Sequence, residues 1–182
     1  RNEKLAMRSP GSLDVSVIAA GYASAILVDT PDNKAILIDT SFIQTDKGRR
    51  NDPERTVLPQ IFAKKISRLE ALVLTSREPE HSAGVASVLK YMDVDHFFLP
   101  ASAAGLLGQE PLASLLAERS PAHLKHRLSG TAVAPQTLVA GDDAAPLSLR
   151  ITYGDFAMLV LSDLTLAQQK DFLARVPPEK LK

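Results

Sequence analysis

Hydrophobic and polar positions alternate at the start of the chain, with Leu13, Val15 and Val17 set against Asp14 and Ser16, the period of a half-buried strand. The apolar runs Ala25–Val28 and Ala35–Ile38 predict two more strands, joined by a reversal at Pro31-Asp32-Asn33-Lys34. From Thr40 to Asn51 the periodicity is lost. Asp52 and Pro53 then suit the N-cap and first position of a helix over 53–65 that carries Val57, Leu58, Ile61 and Phe62 on one face. Leu69–Leu74 reads as a buried strand, Thr75–Ser82 as a polar loop, and Val85, Val88, Leu89 and Met92 as the apolar face of a helix over 82–92. Further strands are expected at His96–Leu99, Gln136–Val139, Leu147–Thr152 and Phe156–Leu161, with turns at Gly141-Asp142-Asp143 and Tyr153-Gly154-Asp155. Helices are expected at Leu112–Glu118 and Leu164–Ala174, the latter stopped by Pro177-Pro178. Without a repeat or a dividing linker, this order predicts one α/β domain over 12–176, with tails at 1–11 and 177–182.

Composition narrows the picture only a little. The 182 residues carry 21 Lys+Arg against 21 Asp+Glu, so no global field favours a polyanion or an acidic surface, and any charged partner must be argued locally. The absence of cysteine excludes disulfides, thiolate metal sites and a cysteine nucleophile. No apolar run approaches the roughly 20 residues of a membrane-spanning helix.

Chemistry concentrates in Thr75–Gly84, which follows a buried strand and leads into a helix, where open α/β sheets place their sites. Glu78, Glu80 and His81 crowd within four residues there, and carboxylate with imidazole suits Zn²⁺, Mn²⁺ or Fe. By itself the cluster also fits a solvated loop with a surface histidine.

The segment Leu72-Val-Leu-Thr-Ser-Arg-Glu-Pro-Glu-His-Ser-Ala-Gly84 resembles the metal-binding loop of metallo-β-lactamase-fold proteins, which commonly reads His-x-(His or Asp)-x-Asp-His before a helix with a small-residue start. Ala35-Ile-Leu-Ile-Asp-Thr40 is similar to that fold's strand ending in Asp, and Tyr153 to Asp163 to its later hairpin, whose closing Gly-Asp supplies a carboxylate that bridges two metals. The order of segments over about 12–175 is most like the C-terminal domain of ComEC-type DNA-uptake (competence) proteins. The resemblance implies a four-layered αββα sandwich, shortened at its C-terminus. Ile26, Val28, Ile36, Ile38, Leu72, Leu74, Leu149, Ile151, Leu159 and Leu161 are then expected between its two sheets. It also implies DNA as partner, nuclease or phosphodiesterase ancestry, and a soluble, extracytoplasmic domain attached to a bacterial inner-membrane channel.

The departures bear on activity. Ser76 stands for the loop's first His, Glu78 and Glu80 for its acidic ligands, and Ser162-Asp163 for Gly-Asp; only His81 is retained among the imidazoles. Only Gly21 and Ala25 keep the upstream pattern of the competence domains, and no His-bearing segment follows before Lys182. A hydrolytic zinc centre takes about three protein ligands and an open position for water. The count here predicts a degraded site that holds no cofactor, or one Zn²⁺ or Mn²⁺ on Glu80, His81 and Asp163, with Glu78 as auxiliary ligand or base. In that fold Asp39 would support the metal loop from behind; by its position it suits equally a turn carboxylate bonded to backbone N–H groups. A non-catalytic interaction domain that binds neither metal nor DNA is the alternative.

Histidines and basic residues elsewhere add two weaker signals. His123 and His126 have a ligand-like spacing but lie in a Ser-Pro-flanked connection and read as surface residues, and His96 reads as an edge or core histidine. Lys47, Arg49, Arg50, Arg55, Lys64, Lys65 and Arg68 face only Asp52 and Glu54 in that stretch, a local basic excess that would suit DNA phosphates. A solvated helix face explains the same run, since no Trp and only Phe62 is available to stack on bases.

Overall fold

Runs rich in β-branched and aliphatic residues form the centre of the computed structural model, which describes residues 11–20, 23–41, 43–44, 50–51, 53–118, 124–125, 132–133, 136–137 and 147–175. A six-stranded sheet runs in the order β1 (Asp14–Ala20), β2 (Ala23–Asp29), β3 (Ala35–Ile38), β6 (Arg68–Val73), β7 (Asp93–Phe98) and β8 (Leu124–Lys125). The first three strands are antiparallel neighbours, whereas β3, β6, β7 and β8 are parallel. The short pair β4 (Ile43–Gln44) and β5 (Arg50–Asn51) lies between β3 and α1 (Val57–Ala63) in the chain, and α2 (Pro79–Ser82) and α3 (Val85–Tyr91) connect β6 to β7. A 3₁₀ segment, Ala101–Gly108, and α4 (Leu112–Glu118) follow β7. β9 (Ala132–Val133) pairs with β10 (Gln136–Thr137), β11 (Leu149–Tyr153) with β12 (Phe156–Val160), and α5 (Leu166–Arg175) comes last.

The central sheet is buried on both faces. Leu27, Leu37, Leu72 and Phe97 form one cross-strand row that packs with Val57, Leu58 and Ile61 of α1 and Val85, Val88 and Leu89 of α3. The next row, Ile38, Val73 and Phe98, faces the other way and packs with Leu149, Ile151 and Val160 of the β11–β12 hairpin. Leu72 and Leu74 therefore lie in the helix-facing core and not between the sheets; Ala71 and Val73 take the inter-sheet places. Leu159 and Leu161 are corrected in the same way. The two-residue turn at Gly154-Asp155 pairs Leu149 with Val160 and Ile151 with Met158, so the inward partners are Val160 and Met158, and Leu161 stays 45% exposed.

Other boundaries shift modestly. Residues 53–56 form a turn and α1 begins at Val57, with the Pro53 carbonyl accepting the amides of Val57 and Leu58. Phe62 is exposed, off the buried stripe of Val57, Leu58 and Ile61. The expected polar loop contains α2, with Pro79 at its first position. Asp52, Gly21, the turn at 141–143, His123, His126 and the tail 177–182 lie outside the described residues. Among the described residues no helix is long and apolar enough to cross a membrane.

Candidate functional site

Parallel alignment of β3 and β6 brings their C-terminal ends together, and the turn after each carries a buried polar residue. Asp39 follows β3 and Thr75 lies two residues beyond β6; they are 6% and 0% exposed. Asp39 adopts φ 58°, a left-handed conformation that Asp tolerates better than most residues. It accepts the Thr75 backbone N–H on Oδ1 at 2.8 Å and the Thr75 hydroxyl on Oδ2 at 2.7 Å. Asp39 thus bonds a backbone amide 36 residues away in the chain, and the same carboxylate also reaches the loop histidine.

His81 comes from α2 and points between the two sheets. Its Nδ1 is 2.9 Å from Asp39 Oδ2 and 3.2 Å from Thr75 Oγ1, and its Nε2 is 2.9 Å from Asp163 Oδ2, just beyond β12. The neighbouring Ser162 hydroxyl donates to Thr75 Oγ1 at 2.9 Å, a second link between the hairpin and the central sheet. Behind the imidazole, the His81 carbonyl accepts both the Thr40 amide at 3.1 Å and the Thr40 hydroxyl at 2.7 Å, and that hydroxyl takes the Gly84 N–H at 3.1 Å. The ring is therefore fixed from both ends.

Asp39, Thr75, His81, Ser162 and Asp163 line a cleft of ≈ 600 Å³ together with Ser24, Glu78 and Glu80 on the polar side and Ile26, Val160 and Leu161 on the apolar side. Glu78 and Glu80 are exposed at its rim. Ser76, where the resembling loop has its first His, is buried and accepts the Glu78 amide at 3.2 Å. Sequence reasoning singled out Asp39, Glu78, Glu80, His81 and Asp163, and all five line one cleft. It missed Thr75, Thr40 and Ser162; the available signal, at Thr75 and Ser162, was a hydroxyl residue directly after an apolar run, where a polar side chain must find a partner.

As arranged, Nδ1 and Asp39 are spent on one another, which leaves His81 Nε2 and the Asp163 carboxylate as adjacent donors. A hydrolytic centre needs about three protein donors on one ion, and among the described residues no group of three or more His, Asp or Glu converges to hold one. The described residues by themselves do not assemble a metal centre of that kind.

The bond to Asp39 is the main cause that raises the His81 pKa from 6.5 to about 9; burial opposes it, and the charges of Asp39 and Asp163 add to it. Folding thus favours the protonated ring. Its contribution to stability is full below pH 6.5 and is lost as pH rises through about 9. With the exposed Asp163 share discounted for screening, the loss is about 2 kcal/mol. Thermal melts across this window should show a midpoint falling by roughly 4–8 °C, a drop absent from His81→Gln.

Among the described residues, the basic run does not converge here. Lys64 is only 8% exposed at its side chain, and its Nζ lies 3.1 Å from Asp14 Oδ2, 3.1 Å from Asp29 Oδ2 and 2.9 Å from Ser16 Oγ. Lys64 is therefore engaged in a buried ion-pair cluster between α1 and the β1–β2 pair and is not presented to a phosphate. Arg68 is exposed but bonded to Asp95 through Nε at 2.8 Å. Arg55 and Lys65 are exposed, Arg50 lies in β5, and Lys47 and Arg49 are outside the described residues. His96 sits on β7, an interior strand, with its ring 6.0 Å from that of Phe98.

No family model matches the chain, and no curated protein matches it. Solved structures do. A metallo-β-lactamase from Cronobacter sakazakii, a mutant in its HARLDQ motif, aligns with a TM-score of 0.58 at 15% identity over 91% of this chain and 70% of that one. A second structure of the C. sakazakii HARLDQ-motif enzyme gives 0.58 at 16% identity over 85% and 57%. CmlA, a diiron β-hydroxylase from Streptomyces venezuelae, gives 0.55 at 14% identity over 93% of this chain but 33% of its own. The chain has the metallo-β-lactamase fold. It spans only part of each of these proteins, and the names of both kinds mark them as metal enzymes.

Proposed function

We propose that this chain is the metallo-β-lactamase-like domain of a ComEC-type DNA-uptake protein in which the hydrolytic metal site has been lost. The observation that supports the loss is the engagement of both ring nitrogens of His81 by Asp39 and Asp163, with Ser76 buried and accepting the Glu78 amide. The DNA-uptake role rests on the order of resembling segments, supported by a fold that agrees along nearly the whole chain. The domain would sit outside the membrane, with its channel supplied by other parts of the parent protein.

After equilibration with Zn²⁺ and Mn²⁺ and dialysis, elemental analysis should find no more metal on the purified domain than on Glu80→Ala/His81→Ala. Labelled DNA should remain uncut under the same conditions. Stoichiometric metal that the double variant loses would overturn the reading, and metal-dependent cleavage would restore hydrolysis.

A second reading, a docking domain that contacts neither metal nor DNA, is favoured by the carboxylates that engage Lys64 and Arg68. Salt separates the two, because a phosphate-binding surface loses DNA affinity steeply as salt rises.

A further inference from the structure

β1 forms one end of the six-stranded sheet, with β2 as its only neighbour among the described residues. Alternate residues of an antiparallel strand turn their N–H and C=O groups away from the partner, so one row of β1 backbone groups points out of the sheet. Natural edges are guarded against further pairing by short length, a bulge, a proline or a lysine. β1 has none of these. It reads Asp-Val-Ser-Val-Ile-Ala-Ala over 7 residues, and its register with β2 is unbroken from Asp14↔Asp29 to Ala20↔Ala23. At the other end of the sheet, β8 has only 2 residues.

What β1 leaves open is apolar. Leu13 and Val15 pack partly against the inter-sheet core, but Val17 on the same face is 66% exposed, and Ala19 is exposed beside it. On the opposite face Ile18 belongs to the helix-facing core and Ser16 is bonded to Lys64. The one charged residue of the strand, Asp14, has Lys64 Nζ 3.1 Å from its carboxylate, so no free charge guards the middle of the edge.

We propose that this edge is a self-association surface, on which a second copy of the chain pairs antiparallel, β1 to β1, about a two-fold axis at Val17. The strand is self-complementary in that register. Val17 is the midpoint of Asp14–Ala20 and meets its own counterpart, Val15 falls opposite Ala19, Ser16 opposite Ile18 and Asp14 opposite Ala20. Aliphatic residues thus meet along the exposed row, and no two like charges face one another. An axis perpendicular to the sheet keeps the helix-covered faces of both copies on one side of a continuous sheet. With 21 Lys+Arg against 21 Asp+Glu, no net charge holds the copies apart. A single strand-to-strand seam belongs at the low end of interface sizes, below about 1,200 Å², so the dimer is weak and concentration-dependent. None of this depends on the cleft or on whether it holds a metal.

Sedimentation equilibrium of the full chain between about 10 μM and about 1 mM should show the mean mass rising from 19.6 kDa toward twice that value. Val17→Lys, at an exposed position, sets two ammonium groups against each other across the axis and should raise the dissociation constant at least about tenfold while the thermal midpoint of the dilute chain holds. A mass that stays at 19.6 kDa throughout would leave the edge to a strand of some other protein and overturn the proposal, as would association that Val17→Lys leaves intact. The register has its own test. Because the chain has no cysteine, Val17→Cys carries a single thiol, and mild oxidation should join it to its counterpart in the second copy. Phe156→Cys, exposed on the β11–β12 hairpin, should cross-link several-fold less; equal yields at the two positions would mean random collision and sink the β1 pairing.

Discussion

Gly84→Ala should lower the thermal midpoint by roughly 6–12 °C, about 3 kcal/mol, against the usual sign of a glycine-to-alanine change before a helix. Such a change ordinarily stabilises by about 0.4–1 kcal/mol where the backbone permits it, and Gly84 has the permissive values φ −88° and ψ −4°. Space reverses the sign. A Cβ at this position would overlap the Pro53 ring and come within 2.8 Å of Thr40 Oγ1 and 2.9 Å of Thr40 Cβ. Neither neighbour can yield cheaply. Pro53 is buried and its carbonyl anchors the start of α1, while the Thr40 hydroxyl is bonded to the His81 carbonyl and the Gly84 amide. The substitution therefore pushes apart the β3 exit, the start of α1 and the α2–α3 junction at once. Gly105→Ala is the control, since nothing lies within 4 Å of the place its Cβ would take, and its midpoint should move by less than about 2 °C. Equal losses at both sites, measured by calorimetry, would contradict the steric account.

The close approach at Gly84 was partly legible, because a small residue opening the helix is among the features that the resemblance carries. The strands were legible for a simple reason: each is a short apolar run bounded by turn residues. Which face of a strand meets which layer was not. From Ala71 onward β6 is apolar on both sides, so alternation disappears there and Leu72 cannot be told from Val73 by local pattern. On β12 the assignment turns on hairpin register, which the turn length sets and the composition of the strand does not. Charge counting failed at Lys64 for a related reason. Its partners Asp14 and Asp29 are 50 and 35 residues away, and a helix-face lysine that becomes buried looks in sequence like one that stays in water. In the cleft, the residues with chemistry stood out and the residues that hold them did not. Thr40, Thr75 and Ser162 are ordinary hydroxyl residues whose roles arise only when β3, β6 and β12 end at one place.

Asp39→Ala should be the most damaging single change at the site, at about 4 kcal/mol, or roughly 8–16 °C in midpoint. Three costs fall together. The Thr75 amide, fully buried, loses its acceptor. The His81 ring loses the carboxylate that chiefly holds its proton, so it stays half-buried with the exposed Asp163 as its remaining carboxylate. The alanine must also keep φ 58°, which costs an ordinary residue roughly 1–2 kcal/mol. Asp39→Asn separates these contributions. Asparagine tolerates the left-handed backbone, and its carbonyl can still accept the Thr75 amide, but its NH₂ group would meet Nδ1 as a second donor. His81 must then give up the Nδ1 proton or turn away. Asn is accordingly expected to recover about half of the stability that Ala loses, while the midpoint drop between pH 6.5 and about 9 disappears in both variants. If Asn instead kept the wild-type pH dependence, the protonated ring would owe its stability to something other than Asp39, and the charge logic of the whole cleft would have to be redrawn around Asp163.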